Sequence, residues 1–93
     1  MRFTWDNRKA QSNVAKHGVT FEEAESVFLD ENARLIGDPD HSGDEERFVL
    51  LGYSFRARCL VVCHCYREND LAIRLISARP ANPHEEEEYW SFQ

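Results

Sequence analysis

Apolar residues recur along this chain with two different periods, and the change between them divides it. At the start, Phe3 and Trp5 alternate with Arg2 and Thr4, which reads as a short first strand. Asp6 is suited to cap a helix running through about Lys16, and Gly18 is placed to stop it. Thr20-Phe21-Glu22-Glu23 matches a capping box, in which Thr20 and Glu23 each satisfy a free backbone N–H of the other. Phe21, Ala24, Val27 and Phe28 follow at helical spacing, so a second helix to about Asp30 is predicted, with that face buried. From Ala33 the period shortens. Ala33–Asp38 reads as a strand, residues 39–45 as a polar loop, and Arg47–Tyr53 as a β-rich run ending near Gly52. Arg58–Arg67 is a long strand and Leu71–Ala78 another, with Glu68-Asn69-Asp70 short enough to join them as a hairpin. Pro83 suits the first position of a last helix ending near Trp90. The order predicts an α+β domain: a mostly antiparallel sheet of about four strands, two N-terminal helices on one face, and a short C-terminal helix. The other face is expected to be open, a place for strand arginines to gather.

Ninety-three residues, 42% of them hydrophobic and 12% aromatic, allow one small core, so 1–93 is read as a single domain. No stretch approaches the roughly 18 apolar residues of a membrane span, and no signal peptide precedes Met1-Arg2-Phe3-Thr4; a cytoplasmic protein is expected. Cys59, Cys63 and Cys65 crowd into one predicted strand, and reduced core thiols are the default reading there. Cys63-His64-Cys65 invites a zinc reading. On a strand, however, His64 points away from both cysteines, so no metal and no cofactor is expected.

The net charge of −6 is unevenly spread. Residues 1–20 carry +3, 21–46 carry −9, 47–81 carry +4, and 82–93 carry −4 through the run Glu85 to Glu88. That run reads as a solvated helix face. Nine of the eleven cations are arginine, the side chain suited to bidentate phosphate contact. A local basic surface on an acidic protein is therefore open, and RNA is not excluded.

Metal-free RNA cleavage needs a base for the ribose 2′-hydroxyl, a proton donor for the leaving oxygen, and cations on the phosphate as it gains charge. His17, at the helix C-terminus, is the acid–base candidate, because imidazole is the side chain suited to exchanging a proton in neutral solution. Capping the helix beside Gly18 is its equally weighted alternative. Lys9 and Lys16 share that helix and can add phosphate affinity. Arg58 begins one strand, Arg74 lies inside the next, and Arg67 and Arg79 fall at strand ends. For any single arginine, an ion pair with Glu46, Glu68 or Asp70 on a solvated face is the ordinary role. Tyr89 could stack on a base or donate a proton, though packing is the commoner use of such a tyrosine.

Trp5-Asp6, Lys9, Asn13, Lys16-His17-Gly18-Val19, Phe21-Glu22 and Ala24 form one ordered set of motifs. Glu46-Arg47, Gly52, Arg58, Tyr66-Arg67 and the run Ile73 to Arg79 continue it, and Glu85 and Tyr89 close it. In this set the chain resembles the BrnT-type toxins over nearly its whole length. The resemblance implies a RelE-like fold and a growth-inhibiting endoribonuclease acting on RNA in a bacterial cytoplasm. It also implies a ribbon-helix-helix antitoxin as partner, DNA being engaged only indirectly through the complex. It tips the Arg67–Arg79 pair towards a catalytic role beside His17, with Lys9, Lys16, Arg58, Arg74 and Tyr89 as RNA contacts. One departure stands out: the family commonly has further basic residues around 83–86, where this chain has Pro83, His84, Glu85 and Glu86. The alternative is a catalytically inactive module of the same fold that binds antitoxin or RNA, and a small metal-binding protein using Cys63 and Cys65 is a more distant one.

Overall fold

The structure, a computed structural model, describes residues 1–36 and 46–93. The elements run β1 (Arg2–Thr4), α1 (Asn7–His17), α2 (Phe21–Ser26), a 3₁₀ turn (Val27–Leu29), β2 (Arg34–Ile36), β3 (Phe48–Tyr53), β4 (Cys59–Arg67), β5 (Ala72–Pro80) and α3 (Pro83–Ser91). The polar loop expected at 39–45, and the end of the strand predicted to Asp38, lie outside the described residues. Local signals placed the caps. Asp6 accepts from the amides of Arg8 and Lys9, and Gly18 ends α1 in the left-handed region at φ 68°. The Thr20 hydroxyl accepts from Glu23 N, but the Glu23 carboxylate is engaged elsewhere, so the reciprocal half of that box is not made. A full capping box forms instead at α3, between Asn82 and Glu85.

The fold is α+β, with a correction to its sheet. There are five strands in the order β1-β5-β4-β3-β2, and β1 lies parallel to β5 while the rest is antiparallel. Period alone cannot tell which strand Arg2–Thr4 will join; α1 and α2 carry the chain away before the hairpins form, and β1 becomes the edge neighbour of the last strand. The second helix is also shorter than predicted, since α2 gives way to the 3₁₀ turn at Val27.

Cross-strand partners share a sheet face, so the register sorts the side chains. On one face Leu50, Leu60, Val62, Ile73, Leu75 and Ala78 pack with Val19, Phe21, Ala24 and Val27 of the helical layer. On the other, Val49, Leu51, Cys59 and Val61 pack with Tyr89 of α3. A bulge between Cys63 and His64 leaves Ile76 as the extra residue of β5. Cys59 and Cys65 are buried, Cys63 is half-buried, and none of the three is in a disulfide. Burial pushes the Cys59 thiol up to about 11, which makes it a poor nucleophile. Among the described residues no group of three or more potential metal ligands converges.

Gly52 sits where β3 passes the 3₁₀ turn, and a Cβ there would lie 2.8 Å from that of Ala33. The close approach brings Tyr53 N within 2.9 Å of the Asp30 carboxylate, which also accepts from the Tyr89 hydroxyl at 2.8 Å. Asp30 thereby ties β3 and α3 to the helical layer.

Candidate active site

β1 pairs with β5 only as far as Thr4 opposite Arg74, so the outer edge of β5 is bare beyond that point. Asn13 of α1 takes the missing strand's place. Its Oδ1 accepts from Ala78 N at 3.0 Å, and its Nδ2 donates to Ala78 O at 2.8 Å and to Val19 O at 2.9 Å. A side-chain amide here does what a peptide group would do in a ladder, and it satisfies backbone groups that burial would otherwise penalise.

Docked in this way, α1 borders a cleft of about 240 Å³ lined by Lys9, Ser12, Asn13, Lys16, His17, Arg47, Ile76 and Ser77. Lys9, Ser12 and Lys16 follow at helical spacing and stand along one side of α1. Arg47, just ahead of β3, enters from the sheet. Its Nε is buried with no hydrogen-bond partner among the described residues, an unmet donor that calls for an acceptor. No acid is among the lining residues described. Three cations, an imidazole and the hydroxyls of Ser12 and Ser77 therefore meet in one concavity, which is the donor set of an oxyanion site.

Of the residues expected to carry chemistry, the structure unites Lys9, Lys16 and His17. It does not unite Arg67 with Arg79. Arg67 is opposite Ala72 beside the β4–β5 turn, whereas Arg79 is opposite Val61 at the far end of the hairpin, roughly 20 Å away at strand rise. Both are at strand ends, but opposite ones. Arg79 is held by α3: its NH1 and NH2 each donate to Glu85 at 2.8 Å, and this guanidinium holds the Glu85 carboxyl below its usual range. Arg67 and the half-buried Arg74 share with Arg79 the sheet face opposite α2, nearer the turn.

Two further candidates are engaged within the fold. Arg58 forks onto Glu23 and also donates to Gly18 O at 3.1 Å, so its guanidinium already has partners inside the protein. Its acceptor is Glu23, not the Glu46, Glu68 or Asp70 suggested by neighbouring strands; among these, Glu68 pairs with Arg2. Tyr89 is 3% exposed and cannot stack on a base. Burial and the Asp30 hydrogen bond push its hydroxyl up to about 12, so it keeps its proton. Arg47 is the cation of this cleft that the sequence does not single out. It stood in a matched motif, but nothing local shows that the start of one strand faces the end of the first helix.

A family model described as the ribonuclease toxin, BrnT, of type II toxin–antitoxin systems matches residues 5–85. Among solved structures, the Brucella abortus ribonuclease toxin BrnT, determined at 1.1 Å, is similar in fold, with a TM-score of 0.68 and 25% identity. That likeness covers 88% of this chain and 97% of the Brucella chain. No curated protein sequence gives a significant match. With the family pattern spanning all but the ends of the sequence, the chain belongs to the BrnT family of ribonuclease toxins of type II toxin–antitoxin systems.

Proposed function

We propose that this chain is a single-domain, RelE-like endoribonuclease whose active site is the cleft between α1 and β5, and that it works without a metal. The convergence of Lys9, Lys16, His17 and Arg47 there carries the reading. Lys9, Lys16 and Arg47 hold the scissile phosphate and neutralise the charge it gains. His17 removes the 2′-hydroxyl proton, the 2′-oxygen bonds to phosphorus, and the bond to the 5′-oxygen breaks, that oxygen taking a proton from water. The products are a 2′,3′-cyclic phosphate and a free 5′-hydroxyl. A cleft lined by cations also repels a divalent ion, which supports the metal-free reading. The toxin acts in the cytoplasm and is neutralised by a ribbon-helix-helix antitoxin, through which alone it meets DNA. No helix among the described residues is long and apolar enough to cross a membrane.

One observation favours the inactive-module reading. Around residues 83–86, where the family commonly has further basic residues, Glu85 pairs with the guanidinium of Arg79 and offsets its charge. Purified protein incubated with total RNA, with and without chelator, separates the readings. Chelator-resistant cleavage is expected. Intact RNA in both arms would support the inactive module, and cleavage abolished by chelator would overturn the metal-free mechanism.

A further inference from the structure

We propose that a second concavity, lined by Met1, Glu46, Phe48, Tyr66 and Asp70, receives a basic side chain of the antitoxin, arginine above lysine. That this anchor serves neutralisation rests on placing the RNA site in the α1–β5 cleft. The space is about 450 Å³, ample for one long side chain. Phe48 and Tyr66, half-buried, meet edge to face at 5.2 Å and 68°. Behind them His64, fully buried, lies 6.1 Å from Phe48 and meets Tyr66 edge-on at 5.5 Å, while Phe28 closes the group at 4.9 Å from His64. The rings of the wall are thus held in place before any partner arrives, which lowers the ordering cost of binding.

Charge selects the occupant. Glu46 and Asp70 are exposed, and among the described residues neither side chain has a hydrogen-bond or ion-pair partner, in contrast to Glu68 on the same turn. Two carboxylates repel an RNA phosphate, and without a third ligand they make a poor metal site. Beside aromatic rings they suit a planar cation, which can stack on one surface and fork to an acid on the other. Burial lowers the proton affinity of His64, so the imidazole behind the rings favours its neutral form.

Position gives the site its consequence. Residues 46, 47 and 48 alternate: Glu46 and Phe48 line this concavity, and Arg47 lines the cationic cleft. A partner anchored here grips the segment that leads into β3 and carries Arg47, and stands beside the RNA site with the rest of its chain.

The test uses the full-length, isotope-labelled toxin and the double variant Glu46→Gln/Asp70→Asn. Asparagine tolerates the left-handed backbone of Asp70, at φ 69°, so the turn is kept. The capped tripeptide Gly-Arg-Gly should produce saturable shifts at Phe48, Tyr66 and Asp70, and its citrulline counterpart should not. The double variant should weaken the peptide, and the antitoxin encoded beside the toxin gene, by about tenfold or more, as expected from losing charge-assisted contacts. RNA cleavage by the free variant should stay at the wild-type level. Absence of a saturable arginine response, an equal response to citrulline, or unchanged antitoxin affinity would each overturn the proposal. Failure of wild-type toxin to cleave RNA would sink the cleft reading instead, and the peptide titration would still report on this site.

Discussion

Arg47→Ala should lower the rate of RNA cleavage by about a hundredfold at saturating RNA, on the order of 3 kcal/mol of lost transition-state stabilisation. The guanidinium enters the cleft opposite Lys9, Lys16 and His17, and its Nε has no partner among the described residues to absorb its charge. Any lost cation weakens RNA binding through the general field, so the comparison has to be made at saturation and over a range of salt. A binding defect recovers in low salt or excess RNA; a defect in the chemical step persists. Arg79→Ala is the control, because Glu85 already neutralises that side chain. It should loosen α3 and leave the saturated rate within about twofold, a small fraction of a decade in barrier terms. A wild-type rate for Arg47→Ala at saturation would mean that the arginine is structural.

Glu23→Ala should cost about 3 kcal/mol of stability, or roughly 15 °C in melting temperature for a domain of this size. Glu23 is 1% exposed, yet it is an acid. It accepts from Ser54 Oγ at 2.6 Å and from both Nε and NH2 of Arg58, which also reaches Gly18 O. The Arg58 hydrogen bonds outweigh the cost of burial and hold the Glu23 carboxyl below its usual range. That group is thus charged when folded and binds protons more readily when unfolded. Its contribution is present above the ordinary carboxylate value of 4.5 and fades as pH falls towards the folded value. Wild-type stability should therefore drop more steeply below that pH than the stability of Glu23→Ala. Thermal melts of both proteins across acidic pH read both effects; equal melting temperatures at pH 7 would refute the assignment.

How much of this was legible in the chain follows from where each signal resides. Caps and periods are local, so Asp6, Gly18, Thr20 and Pro83 marked helix ends that the structure reproduces. The hairpin at Glu68 to Asp70 was also visible, and all three residues adopt positive φ. Long-range pairing was not. Nothing within Arg2–Thr4 distinguishes an antiparallel neighbour from the parallel one it has in β5. The site divided in the same way. Lys9, Lys16 and His17 share one helix, so their common location was readable from spacing. Arg47 joins them only through the docking of α1 on the edge of β5 by Asn13. Arg58, Arg79 and Tyr89 stood in family motifs, but membership of a motif does not separate a ligand contact from a structural one. Their partners Glu23, Glu85 and Asp30 lie 35, 6 and 59 residues away in sequence.

The central claim is that RNA is held in the α1–β5 cleft, and mapping a bound, uncleavable RNA tests it most directly. An oligonucleotide with 2′-O-methyl riboses lacks the attacking hydroxyl, so it can saturate active toxin without turnover. Amide and side-chain shifts on the labelled protein should centre on Lys9, Lys16, His17, Arg47 and Ser77 and leave Tyr89 and Arg79 unmoved. Shifts centred instead on α3 or on the β4–β5 turn beside Arg67, with the cleft silent, would contradict it.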